Sequence, residues 1–210
     1  TFRSSGWNRW DIWNFLKNKT KLNYLKSKPF AHRGLHDCGV SFDEKVPENS
    51  IRSFELAIKN GFSIEMDLQL TGDLDIMVFH DSYLERLTNK EGLIAEKSSE
   101  FLKTAYLSNN ESIPSLEKVL NFVNGKVPVI LEIKSSKKLK ENKENFCEAL
   151  VKRIGCYNGE IGLMSFDIEI IKLLKKTELN KKVSFGLTTD FPTIENKDKK
   201  SENNNIQKQL

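Results

Sequence analysis

The sequence predicts an α/β fold closed as a (β/α)8 TIM barrel, and three observations point there. Short apolar runs alternate with amphipathic segments along most of the 210 residues, which implies parallel strands with helices outside them. The turn after the first run holds His32 and Arg33, where an open nucleotide-binding sheet carries a glycine-rich loop. Acids, histidines and an arginine sit at the ends of several separate runs, and sites fed from several strand ends are the habit of the barrel.

Residues 1–28 are basic and aromatic, with Trp7, Trp10, Trp13 and Phe15 recurring at roughly helical spacing. They read as a helical extension that either caps the domain or, since tryptophan and lysine are mixed, lies on a membrane surface. Phe30–His32 is the first strand. Residues 48–60 carry Ile51, Phe54, Leu56, Ala57 and Ile58, which suits a helix ended by Gly61. Ser63–Leu68 and Asp75–His80 are the next two strands, with Asp73 and Asp75 as turn residues between them. A helical turn follows within 98–107. Ser115 caps a helix over 116–123, with Gly125 just past its end. The β-branched run 127–133 is a strand, 141–154 a helix, 161–165 a strand, 167–175 a helix and 182–187 the sixth strand. Met164 and Phe166 read as core. Residues 194–210 form a polar, biased tail with too little apolar surface to order by itself. The domain reading is therefore an extension over 1–28, a barrel domain over 29–193 and a tail over 194–210.

The composition is polar but ordinary for a soluble domain, with 38% hydrophobic and 30% charged residues. The net charge of +4 is spread along the chain, so it mildly favours anionic ligands and gives no footprint for nucleic acid. Cys38, Cys147 and Cys156 are odd in number and form no C-x-x-C pair, which argues against a disulfide framework or a zinc site. A reducing, cytoplasmic location is the expectation. No apolar run approaches the ~18 residues of a membrane span, and no signal-peptide pattern is visible.

The chemistry-bearing residues are concentrated at the strand ends. In Ile64-Glu65-Met66-Asp67-Leu68 the two acids alternate, so both project to one face of a strand. Glu132 lies inside another apolar run. Three carboxylates crowded together repel unless a cation sits between them, and oxygen-only ligation points to Mg2+ or Ca2+. His32 and His80 would flank that ion as proton-transfer groups, while Arg33 and Lys134 bring fixed positive charge suited to phosphate oxygens. Together these parts suit cleavage of a phosphate ester. Each part also has a plainer reading. Glu65 and Asp67 alone make a solvated strand face, Glu132 and Lys134 an ordinary salt bridge, His36 a structural or surface residue, and Cys38 a small loop residue.

The motifs His32-Arg33-Gly34, Pro47-Glu48-Asn49-Ser50, Glu65-Met66-Asp67, His80-Asp81 with Leu84, Arg86 and Thr88, and Glu132-Ile133-Lys134 follow one another in order. In this the sequence resembles the glycerophosphodiester phosphodiesterase family, and Ile113-Pro114-Ser115-Leu116 and Ser165-Phe166-Asp167 resemble further family segments. The resemblance runs from about Pro29 to Asp190. It implies hydrolysis of a small-molecule glycerophosphodiester to glycerol 3-phosphate and an alcohol, a role in glycerol and lipid metabolism, and a divalent cation, Mg2+ or Ca2+. By family pattern His32 and His80 are the acid–base pair, Glu65, Asp67 and Glu132 the metal ligands, and Arg33 and Lys134 the substrate contacts. Glu48 and Asn49 shape the site, with Glu48 a supporting contact to the metal region. The family pattern continues through two more strands that this sequence does not show, so the expected barrel lacks its last two strands. Two alternatives stay open: lysophospholipase D- or sphingomyelinase D-like activity on lipids, and an inactive truncated remnant that binds phosphate ligands.

Overall fold

The computed structural model describes residues 28–37 and 45–189. The aromatic extension up to residue 27, Cys38 and the polar tail lie outside the described residues. Six strands form one sheet: β1 (Phe30–Ala31), β2 (Ser63–Leu70), β3 (Ile76–Val78), β4 (Val129–Ile133), β5 (Ile161–Ser165) and β6 (Ser184–Leu187). Five of them pair in parallel in the order β1-β2-β4-β5-β6. Each parallel strand therefore lies beside the next one in the chain. A doubly wound sheet reverses its order at a switch point, and this sheet does not. The architecture is that of a partial (β/α) barrel.

The sequence reading took residues 75–80 as the third of six barrel strands, and the structure corrects this. β3 runs antiparallel to β2, pairing Leu68 with Val78 and Leu70 with Ile76. The turn between them is closed by the Thr71 N–H on the Asp75 carbonyl, and Leu74 takes the left-handed conformation at φ 65°. A strand that turns back within five residues cannot be a parallel neighbour, because a parallel crossover needs a dozen residues or more. The hairpin returns the chain toward Asp67, whose carbonyl accepts the Phe79 N–H at 3.0 Å.

The helices are α1 (Ile51–Lys59), α2 (Ser99–Leu102), α3 (Leu116–Val123), α4 (Lys137–Glu141), α5 (Lys143–Gly155), α6 (Ile168–Lys175) and α7 (Leu179–Lys182). Ser50 opens α1 with a reciprocal cap shared with Ser53, so the helix starts after Glu48 and Asn49, not at them. Ser115 caps α3 as expected, and Asn124 in the left-handed conformation closes it before Gly125. The helix expected over 141–154 is present as α5, and a short helix not foreseen, α4, precedes it across Asn142.

Strand alternation sorts the two faces of the sheet. Ile64, Met66, Leu68, Val129, Leu131, Ile133, Ile161 and Leu163 join the helices in one apolar core. The opposite face carries Glu65, Asp67 and Gln69 on β2, Glu132 on β4 and Met164 on β5, with Asp67 in direct register with Glu132 and Glu132 with Met164. A smaller apolar cluster under the loops includes Met77, Phe79, Leu84, Ile94, Leu102 and Ile113. Met164 is buried as expected. Phe166 is 46% exposed, because it follows the last residue of β5 and clears the core. Among the described residues no helix is long and apolar enough to cross a membrane.

Candidate active site

The inward face of β2 and β4 holds three buried carboxylates. Glu65, Asp67 and Glu132 are 1%, 0% and 5% exposed, and one oxygen of each lies within 4.8 Å of the others. The parallel register that sets Asp67 beside Glu132 brings them together, with Glu65 two residues back on the same face. Burial and then the charge of Asp67 drive the Glu65 carboxyl well above the usual carboxylate range. Burial likewise raises Glu132, against the opposing pull of Lys134. One oxygen of Glu65 accepts the Arg33 backbone N–H at 2.9 Å, and the other, Oε1, is buried with no hydrogen-bond partner among the described residues. A buried carboxylate oxygen left without a donor is costly, and a hard cation among three such groups would satisfy it. The donor set therefore fits Mg2+ or Ca2+.

Two cations already lie against these acids. Lys134 Nζ is 2.9 Å from Asp67 Oδ1 and bonds Glu132 Oε1. Burial works against the charge on Lys134, but Asp67 and Glu132 outweigh it and hold the ammonium above its ordinary value. Arg33 Nε lies 3.3 Å from Asp67 Oδ2, and its Nη1 donates to Glu48 Oε1 at 2.9 Å. The salt bridge that Glu132 and Lys134 suggested as an ordinary pair is real, and it is embedded in the acid cluster.

His32 follows β1 directly, and its Nε2 is 3.9 Å from Glu65 Oε2. Burial, followed by the neighbouring Arg33 charge, lowers its imidazole to about 4. The loop it sits in is stitched to α1: the Asn49 N–H donates to the Arg33 carbonyl at 2.9 Å, and the Leu35 N–H to the Ser53 carbonyl at 2.9 Å. Gly34 is required there, since its φ is +81° and a Cβ would lie 2.3 Å from Ser53 Oγ. His36, in the same loop, stands 3.6 Å from Asp37.

His80 reaches the mouth by the antiparallel return of β3, not at the end of a barrel strand as the sequence reading had it. Its ring Nδ1 lies 2.6 Å from Asp81 Oδ1. The Gln69 amide donates to the carbonyls of His80 and Asp81 at 2.9 and 3.2 Å, fixing that backbone. All seven residues singled out in the sequence thus lie in one neighbourhood.

Gln69 and Arg86 had no assigned role, and Asn49 was expected only to shape the site. Asn49 clamps Asp67, Gln69 holds the His80 backbone, and Arg86 bonds both Glu48 and Asp81. Gln69 carried a readable signal, two positions past Asp67 on the same strand face. Arg86 carried none beyond its place in a motif, because its partners are set by the fold. Glu48 is not part of the Glu65–Asp67–Glu132 group; it is bound to Arg33 and Arg86. Its burial raises the carboxyl, but the Arg86 and Arg33 contacts prevail and hold it below the usual range. A cavity of about 700 Å³ opens beyond the site, walled by Ser82, Ile94, Glu96, Ser136 and Lys137; it meets the β2 face at Gln69 and not at the three acids.

Known proteins share both the sequence pattern and the fold. The Glycerophosphoryl diester phosphodiesterase family matches residues 32–208. A glycerophosphodiester phosphodiesterase of Caldanaerobacter subterraneus subsp. tengcongensis is 34% identical over 164 residues, covering 72% of this chain and 63% of that protein. One from Bacillus altitudinis is 36% identical over 138 residues, covering 57% of this chain and 54% of that protein. The chain thus spans less than two thirds of the length of these curated relatives. Among solved structures, a phosphodiesterase of Oleispira antarctica in complex with the product sn-glycerol-3-phosphate superposes with a TM-score of 0.67 at 22% identity, over 83% of this chain and 71% of that one. A glycerophosphodiester phosphodiesterase of Parabacteroides distasonis gives 0.63 at 27% identity, over 75% and 64%.

Proposed function

The chain belongs to the glycerophosphoryl diester phosphodiesterase family, and from that premise we propose that it hydrolyses glycerophosphodiesters to glycerol 3-phosphate and an alcohol. The observation that carries this reading is the convergence of three buried carboxylates, two cations and two histidine-bearing loops on one face of the sheet.

Glu65, Asp67 and Glu132 are the residues that would hold a divalent cation, Mg2+ or Ca2+. Bound there, such an ion would supply positive charge to offset the charge that develops on the phosphoryl oxygens. Arg33 and Lys134 stand beside the same acids and offer fixed donors to the phosphate, an arginine fork and a point charge. The histidines supply proton transfer: one imidazole takes the proton of the attacking hydroxyl or water, and the other returns a proton to the departing alkoxide. The Asp81 carboxylate keeps the His80 ring oriented by holding Nδ1, so that Nε2 is the nitrogen that exchanges a proton.

The experiment is product analysis with glycerophosphocholine and glycerophosphoethanolamine in the presence of Mg2+ or Ca2+. Release of glycerol 3-phosphate that disappears in His32→Ala and in His80→Ala supports the reading. Absence of release by the unsubstituted chain, or release unchanged by both substitutions, overturns it.

A further inference from the structure

Glu48, His80 and Asp81 make a second group of metal-ligating composition, with one ligand atom of each within 4.8 Å of the others. A guanidinium occupies the position a cation would take. Arg86 Nη2 donates to Glu48 Oε1 at 2.8 Å and to Asp81 Oδ1 at 2.8 Å. Its Nη1 donates to Glu48 Oε2 at 3.3 Å and its Nε to Asp81 Oδ2. Arg86 is therefore forked onto two carboxylates at once. Each carboxylate has a further partner in the site: Glu48 Oε1 also accepts Arg33 Nη1, and Asp81 Oδ1 meets His80 Nδ1.

We infer that Arg86 is a positioning residue, which orients His80 through Asp81 and ties the His80 arm to the His32–Arg33 loop through Glu48. The inference rests on the phosphodiesterase reading above and extends it to a residue bonded to Glu48 and Asp81, outside the Glu65–Asp67–Glu132 group.

The chemistry of the chain of contacts supports it. An ionised carboxylate only accepts hydrogen bonds, so a proton must sit on His80 Nδ1 for that contact to exist. Arg86, before any other group, holds the Asp81 carboxyl ionised, at about 2. The ring then has one tautomer and one orientation, with Nε2 turned to exchange protons. A lysine cannot do the same work, because an ammonium is a point charge and cannot fork onto two carboxylates in fixed planes. The backbone under these side chains is held independently. Gln69 bonds the His80 and Asp81 carbonyls, the Thr88 N–H bonds the Leu84 carbonyl at 3.0 Å, and Leu84 is fully buried. Removing the Arg86 fork therefore leaves Glu48 to Arg33 and Asp81 to His80, loosens both carboxylates, and leaves the loop in place.

The test compares the unsubstituted chain with Arg86→Gln and Arg86→Lys, using glycerophosphoethanolamine turnover and 15N NMR of the His80 ring, with His80→Asn identifying the resonance. The expected result for Arg86→Gln is a fall of about 100-fold in kcat, the size that loss of precise placement produces, with KM within about twofold. Its His80 ring changes from the Nδ1–H tautomer to a mixture, and added guanidinium restores part of the rate. Arg86→Lys recovers only a small part of kcat, and it is read in the same way should Arg86→Gln fail to fold. Unchanged kcat, a loss confined to KM, or a His80 tautomer unaltered by either substitution overturns the inference. If the unsubstituted chain releases no glycerol 3-phosphate, the functional reading fails, while the NMR arm still decides whether Arg86 governs His80.

Discussion

The side-chain amide of Asn49 holds Asp67 from both ends: its Nδ2 donates to Asp67 Oδ2 at 2.8 Å, and its Oδ1 accepts the Asp67 backbone N–H at 3.2 Å. Both residues are buried, and Asn49 sits at φ 56°, a conformation asparagine tolerates far better than most residues. The turn before α1 thus reaches across to β2 and fixes the central acid of the cluster.

Replacing Asn49 by Ala removes both bonds and puts a Cβ-bearing residue with no local hydrogen bond into the left-handed region. Orphaning the buried Asp67 N–H costs about 1–3 kcal/mol, and the conformation costs a further ~1–2 kcal/mol. Urea unfolding of Asn49→Ala should show a loss of roughly 2–4 kcal/mol, with the slope unchanged. Calorimetric titration should show divalent-cation affinity reduced about 10–100-fold, the effect expected when a ligand loses its orienting partner.

Gly34 is held to a conformation and a space that no other residue shares. Gly34→Ala meets Ser53 Oγ at 2.3 Å and the Ser53 backbone carbon at 2.9 Å, at φ +81°. Overpacking against backbone costs about 1–3 kcal/mol. Since this loop carries His32 and Arg33, chemical denaturation should register the instability and turnover should fall with it.

Lys134 neutralises two buried acids, Asp67 and Glu132. Lys134→Met leaves them facing each other without the ammonium, a loss of roughly 3 kcal/mol in chelator. Saturating Mg2+ or Ca2+ should restore much of this, since a ligand at about 100 times its Kd contributes about 2.7 kcal/mol. Thermal melts with and without cation check it: the cation-induced rise in Tm should persist in Lys134→Met and vanish in Asp67→Asn.

The Arg86 contact holds Asp81 at about 2, below an unfolded carboxyl near 3.8. Between those values the unfolded chain binds more protons, so stability rises with pH across the window. The contribution is complete above about pH 4–5 and is lost as pH falls through about 2. Because Asp81 is partly exposed, solvent screening limits it to about 1 kcal/mol. The difference in unfolding free energy between the unsubstituted chain and Asp81→Asn should be flat above pH 5 and shrink below pH 4.

How much of this was legible in the sequence depends on the range of the physics involved. Glu65 and Asp67 share a face because strands alternate, and Ser115 marks a helix start through a local hydrogen bond from the Lys118 N–H; both are readable over a few residues. The turn at Asp73 and Asp75 was readable, but the position of His80 was not, since the direction of β3 is set by how that turn closes, with Leu74 at φ 65°. Phe166 was taken as core with Met164, yet β5 ends one residue earlier and the ring is exposed. The α4 segment, Lys-Lys-Leu-Lys-Glu, buries only Leu139 and so has almost no apolar period to read. The Arg33–Glu48–Arg86–Asp81 chain joins residues up to 53 positions apart and exists only once the fold is formed.

The most direct measurement is glycerol 3-phosphate release from glycerophosphoethanolamine by chelated protein as Mg2+ or Ca2+ is returned stepwise. The account predicts no turnover after chelation, recovery that saturates with a single class of cation site, and no recovery in Asp67→Asn. A rate that survives chelation, or a cation response left intact in Asp67→Asn, would contradict it.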